Sequence, residues 1–476
     1  MSYQVPQHID KNKIFIIKKS EINSRLDPKM ALYNQSVQHS LYPPVKLKSL
    51  LLSKPQYGAN EAGLVREHKE QARYIRITDI DENGLISLDE LGATVANLDV
   101  KYILNENDIV IARSGATVGK SYIHKLLPYT CVYAGYLIRF VVDSDKILPD
   151  YLFAYTQLNP YKEWVNAIQR PSAQPNINAE EYQSLEIPLP NLSKQQEIVD
   201  FINEAYTQKR AKEVEAQQLL DSIDDYLLKE LGIILPTKHV SSSIKNRIYI
   251  INLSTIERDR LDSDYFDNKY RILHDSVKEG TYPIHPLGDN NITSFISTGQ
   301  TPKSDCYTEE ETDFPIIKAG SYNGHEIDLG KVSYTTKKQS YSVQKGDIFI
   351  LSAAHQAEYI AKQICYLNEV PRQNTSFVGE LLCIRASVLV NSMYLYSLLS
   401  TQVYKTLLNR EKRGQTSHLY AKDVSRVLIP LPPIEKQNEI AKHIEEIRLR
   451  AKVLQAEGKA ILEDAKRKVE EMIIGL

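Results

Sequence analysis

Ile187-Pro188-Leu189-Pro190-Asn191-Leu192-Ser193-Lys194-Gln195-Gln196-Glu197-Ile198 returns in the second half of the chain as Ile429-Pro430-Leu431-Pro432-Pro433-Ile434-Glu435-Lys436-Gln437-Asn438-Glu439-Ile440. Both stretches open Ile-Pro-Leu-Pro and continue Lys-Gln-x-Glu-Ile. Proline brings no ladder donor, so each tetrapeptide reads as the end of an apolar strand. A long helical periodicity follows each. In the first copy Ile198, Ile202, Ala205, Lys209, Lys212, Ala216, Leu219, Ile223 and Tyr226 recur at alternating steps of four and three. In the second, Ile440, Ile444, Ile447, Ala451, Leu454, Gly458, Ile461 and Ala465 repeat that register. Such a seam predicts a helix lying along a partner helix. One seam alone describes any packed helix. Two in one register, each after the same tetrapeptide, predict a duplicated architecture. Ser193 is the expected N-cap of the first helix, with Gln196 three residues on, and Gly232 its end.

The repeat extends outward from these segments. Ile14-Phe15-Ile16-Ile17, then Arg25-Leu26-Asp27, is answered by Ile248-Tyr249-Ile250-Ile251, then Arg260-Leu261-Asp262. Residues 42–182 read mostly as short strands: 74–77 before the turn Asn83-Gly84, 109–112 after Asn107-Asp108, and 136–142. Residues 151–158 read as a helix stopped by Asn159-Pro160, and 170–178 as a polar loop. The second half follows the same plan. Phe314-Pro315-Ile316-Ile317-Lys318 corresponds to 74–77, Asn323-Gly324 to the first turn, and Ile348-Phe349-Ile350-Leu351 after Gly346-Asp347 to 109–112. Residues 381–385 loosely match 137–140, and 410–418 occupy the loop before the second Ile-Pro-Leu-Pro. The frame matches better than the loops.

Composition bounds the rest. At about 150 residues per domain, 476 residues predict two to four domains. The net charge of −2 gives no global attraction to nucleic acid or anionic membrane, so any such surface is local. Four scattered cysteines without a C-x-x-C pair fit a reducing compartment and offer no zinc site. No signal peptide is evident and no apolar run reaches the ~18 residues of a membrane helix, so the expected location is cytoplasmic. Thirty tyrosines against one tryptophan suit wet, adaptable binding surfaces.

Three enzyme readings fail on the residues. Ser114-Gly115-Ala116-Thr117-Val118-Gly119-Lys120-Ser121 ends like a phosphate-binding loop, but that motif needs glycine where Ser114 stands and a helix after it. A glycine-rich hairpin or a backbone-contacting loop fits better. Methyltransferase chemistry lacks both its glycine-rich turn and its Asp/Asn-Pro-Pro-aromatic tetrapeptide. Nuclease chemistry lacks a carboxylate-x-lysine after Pro149-Asp150, and the eleven histidines form no metal-spaced cluster. The chain reads as a binder, not a catalyst.

Across nearly its whole length the chain resembles the specificity (S) subunit of type I restriction-modification systems. The two matched segments at 187–198 and 429–440 carry the resemblance. Residues 113–120 are similar to a glycine-threonine-glycine loop common in such domains. Leu351-Ser352-Ala353-Ala354-His355-Gln356 has no glycine, so that loop's role does not carry across. The resemblance implies an α+β fold with an internal pseudo-twofold repeat. Its parts would be a target-recognition domain at 1–190, a spacer helix at 191–235, a second recognition domain at 236–432 and a second helix at 433–476. The helices would pair as an antiparallel coiled coil about 60 Å long. It further implies a bipartite site in double-stranded DNA, which the unlike loops of the two halves predict to be non-palindromic, two methyltransferase (M) subunits positioned by this chain, and restriction/motor (R) subunits. S-adenosylmethionine, ATP and Mg would belong to those partners, with no cofactor, catalytic residue or metal in this chain and no membrane contact. DNA methylation and phage defence would be the outcome. A bipartite-site type II system is the nearest alternative, and a coiled-coil protein scaffold without DNA binding another.

Candidate DNA contacts follow from residue type and loop position. In the first half they are Arg73, Arg76, Arg113, Ser114, Gly115, Thr117, Lys120, Arg170, Gln174 and Asn176. In the second they are Lys318, Tyr322, Asn323, His355, Gln356, Arg372, Gln373, Asn374, Lys412, Arg413, Gln415 and His418. Arginine forks suit guanine, and Asn or Gln suits adenine.

Overall fold

A computed structural model describes residues 28–36, 40–88, 91–169, 175–236, 264–354, 356–414 and 417–475. The repeated segments at 14–27 and 248–262 lie outside the described residues. The chain forms two compact units, Met1–Glu213 with Gln455–Leu476, and Val214–Leu454. Each takes part of both long helices, Leu192–Glu230 and Ile434–Ile474.

The first unit holds two four-stranded sheets. One runs in the order Gln56–Tyr57, Leu137–Phe140, Ile109–Ala112, Ser121–Ile123 and is antiparallel throughout. The other runs Leu64–Val65, Ala93–Thr94, Arg73–Ile75, Cys131–Tyr133, with its last pair parallel. Ile109, Val110, Ile111 and Ala112 are all fully buried, which explains their unbroken apolar run. Helices Pro149–Thr156, Asn159–Ile168 and Ala179–Gln183 cover the first sheet and share one core with it and the helix pair.

The second unit repeats this plan strand for strand. Thr293–Thr298, Leu381–Ala386, Ile348–Leu351 and Ile364–Tyr366 form the antiparallel sheet, extended by the hairpin Tyr322–Asn323/Glu326–Ile327. Tyr307–Thr308, Ser333–Thr335, Pro315–Ile317 and Ser376–Phe377 form the second sheet, again ending in a parallel pair. Helices Ser392–Ser400, Gln402–Arg410 and Ala421–Val424 complete it.

The duplicated segments close each unit in the same way. Pro44–Lys46 pairs with Glu186–Pro188, Pro44 opposite Pro188; Ile284–Pro286 pairs with Leu428–Pro430, Ile284 opposite Pro430. The glutamine of each Lys-Gln-x-Glu-Ile is buried. Gln195 Oε1 accepts the Leu148 amide at 2.8 Å, at the start of helix Pro149–Thr156, and its Nε2 donates to Pro190 O at 2.9 Å. Gln437 does the same with the Asn391 amide at 3.0 Å and Pro432 O at 2.8 Å. Tyr151 and Tyr394 donate their hydroxyls to Pro188 O at 2.6 Å and Pro430 O at 2.8 Å. The motif repeats because it ties strand end, long helix and covering helix together. Gln195→Ala or Gln437→Ala orphans a buried amide and a prolyl carbonyl. Each is expected to destabilise its unit by about 2–3 kcal/mol, measured by urea unfolding.

Within each unit the long helices run antiparallel. In the first, Ile198, Ile202 and Ala205 share a core with Leu462, Ala465, Val469 and Ile473. Lys212 pairs with Glu457 at 2.6 Å, and a Cβ on Gly458 would come 3.3 Å from Lys209 O. Glycine there admits a close approach of the two backbones. In the second unit Lys436 meets Glu230 at 2.5 Å, the Tyr226 ring lies tilted against His443 with centroids 4.3 Å apart, and Ala216 packs against Ala451 and Leu454.

Two local expectations are corrected. Asn191, not Ser193, caps the first long helix, its Oδ1 accepting the Lys194 amide at 2.9 Å. Asn159-Pro160 does not merely stop one helix; it begins the next, because proline in the first turn lacks only a donor that has no partner there anyway. Gly232 does end the first long helix, at φ +65° with Ile233 N–H bonded to Leu228 O at 2.9 Å.

Candidate nucleic-acid interface

In each unit the loop after the central buried strand lies beside the loop that precedes the Ile-Pro-Leu-Pro strand. In the first, Ser114 bridges Asn176: the Ile177 amide donates to Arg113 O at 2.8 Å and the Gly115 amide to Pro175 O at 3.0 Å. In the second, Ala353 bridges His418, and the Leu419 amide donates to Ser352 O at 2.7 Å. Two segments about 60 residues apart in sequence thus form one surface in each half.

The first surface is supported from below. Tyr182 and Tyr161, both buried, donate to Ala112 O and Gly119 O, each at 2.7 Å. Gly119 sits at φ +88°, where a Cβ would also strike Val165 at 2.7 Å. Strand Ser121–Ile123 follows directly and pairs back on Ile109–Ala112, so the loop is a glycine-rich hairpin and no helix begins at Lys120. Lys120 Nζ donates to Ile80 O at 2.6 Å, which turns it toward the fold instead of a phosphate. The residue that stands out is Arg113. Its guanidinium lies 5.0 Å from the Tyr57 ring centroid and makes no ion pair among the described residues. Tyr57 accepts the Ala179 amide at 3.1 Å, and Tyr136, whose carbonyl accepts the Arg113 amide, is 59% exposed. Asn176 is exposed beside them, and Ser114, Gly115 and Thr117 are half-buried in the hairpin. A planar cation resting on an aromatic face is preorganised for a base edge or a phosphate.

Other candidates in this unit are already engaged. Arg73 is 1% exposed and donates to Ser87 O at 2.7 Å, so it is removed from the surface set. Arg76 is forked on Asp79 at 2.9 and 3.2 Å, which raises its pKa further. Burial pushes His124 down to about 4, so it adds no cation near neutral pH. Arg170 and Gln174 lie outside the described residues.

The second surface has different chemistry on the same frame. The Ser352 amide donates to Glu380 O at 2.8 Å, as the Arg113 amide does to Tyr136 O. Ser352 and Glu380 therefore stand where the first half has Arg113 and Tyr136. Glu380 is exposed, and its carboxylate accepts from Thr301 Oγ1 at 3.0 Å. Lys318 lies 4.1 Å over the Tyr307 ring, and Tyr307's pKa is raised by burial and then by the Glu380 charge. Asn323 and Gln356 are exposed, and His418 stacks with Tyr420. Gln373 and Asn374 line an open hollow with Lys338 and Lys345. Tyr322 turns its hydroxyl inward, buried with no hydrogen-bond partner among the described residues. Arg372 is held by Glu311 at 3.0 Å and by the Thr312 carbonyl, and Lys412 by Asp264 at 2.9 Å. His355 and Gln415 lie outside the described residues.

Arg413 is structural in this geometry. Its Nη2 donates to Asp423 Oδ1 at 2.8 Å, and Asp423 is fully buried with Arg426 as its other partner at 3.3 Å. Arg413→Ala leaves a buried carboxylate short of a donor. A stability loss of about 1–3 kcal/mol is expected in urea unfolding. An unaltered unfolding midpoint with lost DNA reading would contradict that role.

Sequence reasoning missed Tyr57, Tyr307 and Glu380. The tyrosine excess pointed to residues of this kind, but only the fold brings them to the loops. Among the described residues no helix is long and apolar enough to cross a membrane, and no cluster of His, Cys, Asp or Glu has metal-holding geometry.

The sequence also matches known proteins. A family model described as the type I restriction modification DNA specificity domain matches twice, at residues 62–220 and 292–457. The type I restriction enzyme EcoKI specificity subunit of Escherichia coli K12 is 20% identical over 356 residues, covering 72% of this chain and 68% of that protein. Among solved structures, a chain from work on complex assembly and conformational transition of the type I R-M system is 14% identical with a TM-score of 0.47, covering 90% of this chain and 96% of that one. The type I restriction-modification S subunit from M. genitalium is also 14% identical, with a TM-score of 0.41 and coverage of 92% and 97%. Two domain matches over a duplicated frame place the chain in the family of type I restriction-modification specificity subunits, whose work is DNA sequence recognition.

Proposed function

We propose that the two halves of this chain read two different half-sites of one bipartite DNA target, and that the chain positions two methyltransferase subunits there without catalysing a reaction itself. Recognition domains within residues 1–190 and 236–432 would do the reading, and the helices within 191–235 and 433–476 would space them. The observation that carries this is one frame with two side-chain sets: Arg113, Tyr136 and Asn176 in the first half, Ser352, Glu380 and His418 in the second. An arginine fork matches guanine O6 and N7, whereas a carboxylate accepts from cytosine N4. The engagement of Lys120 and Arg73 inside the fold, with a net charge of −2, makes weak DNA affinity for the isolated chain the natural consequence. Methyltransferase subunits would then share the phosphate contacts, which dominate affinity. Motor-nuclease subunits would complete a type I complex; a type II bipartite-site enzyme would use the same chain without them.

A mobility-shift assay tests this. The chain with its methyltransferase partner is expected to shift duplex DNA in a sequence-dependent way, with competition by specific but not scrambled duplex. Sequence-independent binding by the assembled pair would contradict the proposal.

A further inference from the structure

The second unit contains a polar cavity of about 310 Å3 where the helix pair meets the recognition fold. Arg448 of the second long helix, Lys405 of helix Gln402–Arg410, and Ser397 and Ser400 of helix Ser392–Ser400 line it, with His325 at its rim. Ser397 is 1% exposed and its hydroxyl is buried with no hydrogen-bond partner among the described residues, while the buried Ser400 hydroxyl lies near that of Tyr396. Arg448 rests over the Tyr396 ring at 4.4 Å, and neither it nor Lys405 forms an ion pair among the described residues. The wall carboxylates are turned to other donors: Asp221 accepts from Gln217 Nε2 at 2.7 Å and Asp224 from the Gln402 amide at 2.8 Å. Burial holds the Lys405 ammonium below its usual pKa, Asp224 opposes that shift, and the Arg448 charge adds to it.

The first unit carries different side chains at the equivalent positions. Glu470 accepts the Asn159 amide there, as Asp224 accepts the Gln402 amide here. One turn before Glu470 stands Lys466, 6% exposed, with its ammonium on Asn83 Oδ1 at 3.1 Å. In the register that sets Gln195 against Gln437, the residue that answers to Lys466 is Asp224. Arg448 is the eleventh residue after Gln437, and the eleventh after Gln195 is Tyr206. Ser397 is the third after Tyr394, and the third after Tyr151 is Ala154. The two copies have diverged at these positions: one buries a lysine whose ammonium is bonded to Asn83 and Glu463, the other presents two cations and two serine hydroxyls to a cavity.

We propose that this cavity binds a small oxyanion of the phosphate class, held by Arg448, Lys405 and the hydroxyls of Ser397 and Ser400. Two cations and two neutral donors converging from three helices match an acceptor-only, doubly charged group. The volume lies at the lower end of the range of small-ligand sites, large enough for inorganic phosphate or a compact phosphate ester.

Calorimetric titration of the full chain with inorganic phosphate in chloride buffer tests this, with sulfate as competitor. The variants are Ser397→Ala and Arg448→Tyr, each introducing the first half's own residue, so folding is expected to survive both. One saturable site is expected in the wild type, with affinity lowered at least about tenfold by Arg448→Tyr and a few-fold by Ser397→Ala. Tighter binding of a nucleoside monophosphate than of phosphate would identify an ester as the ligand, and equal or weaker binding would identify the free ion. No saturable binding, or equal binding by the wild type and both variants, would overturn the proposal. So would displacement of phosphate from this site by duplex DNA, which would make it part of the nucleic-acid footprint.

Discussion

Arg113→Ala is expected to weaken reading of the first half-site by about 1–3 kcal/mol if the guanidinium forks on a guanine, a loss of about 5- to 150-fold. Folding should be unaffected, because the side chain stacks on Tyr57 and ties down no carboxylate among the described residues. Methylation of targets mutated in one half or the other measures the effect. A base contact relaxes specificity at one position, whereas a phosphate contact lowers affinity for all sequences and reduces the salt slope by about one. Tolerance to changes in the second half-site should stay as in the wild type. If Arg113→Ala altered that tolerance, the division of labour between the halves would be wrong.

The second large effect concerns the helices. Deleting Lys209 to Glu215 alone would preserve the heptad phase of the first helix but leave the second seven residues too long. The antiparallel pairing of Lys212 with Glu457 and Lys209 with Gly458 makes the matched deletion Lys452 to Gly458 necessary as well. The double deletion removes about 10 Å, close to three base pairs at ~3.4 Å each. A preferred spacer shorter by about three base pairs is expected, or lost activity, because three base pairs also rotate one half-site by roughly a third of a turn about the duplex. Full activity on the original spacer would show that the helices do not set the distance.

The frame was legible in the sequence because local chemistry enforces it. Ile-Pro-Leu-Pro ends a strand by removing donors, Lys-Gln-x-Glu-Ile supplies a buried glutamine at a fixed offset, and the heptads specify the seam. The four-residue run at 109–112 was read at its true bounds because all its side chains are buried. Capping was read two residues late, since Asn191 and Ser193 are equally good caps by type and only the hydrogen bond separates them. The loop contacts were legible as a set of polar residues, not one by one. Whether Lys120 faces DNA depends on Ile80 O, forty residues away, and whether Arg413 does depends on buried Asp423. Tyr57 and Glu380 carry no motif of their own; they matter because the fold sets them beside Arg113 and Ser352.

The central claim is that one duplicated frame carries two unlike readers. The most direct measurement is the genome-wide map of methylated bases in cells expressing this chain with its methyltransferase subunits. The expected result is one motif made of two defined, dissimilar halves separated by an unspecified spacer of constant length, with Arg113→Ala relaxing one half only. A palindromic motif, both halves read identically, would contradict the account.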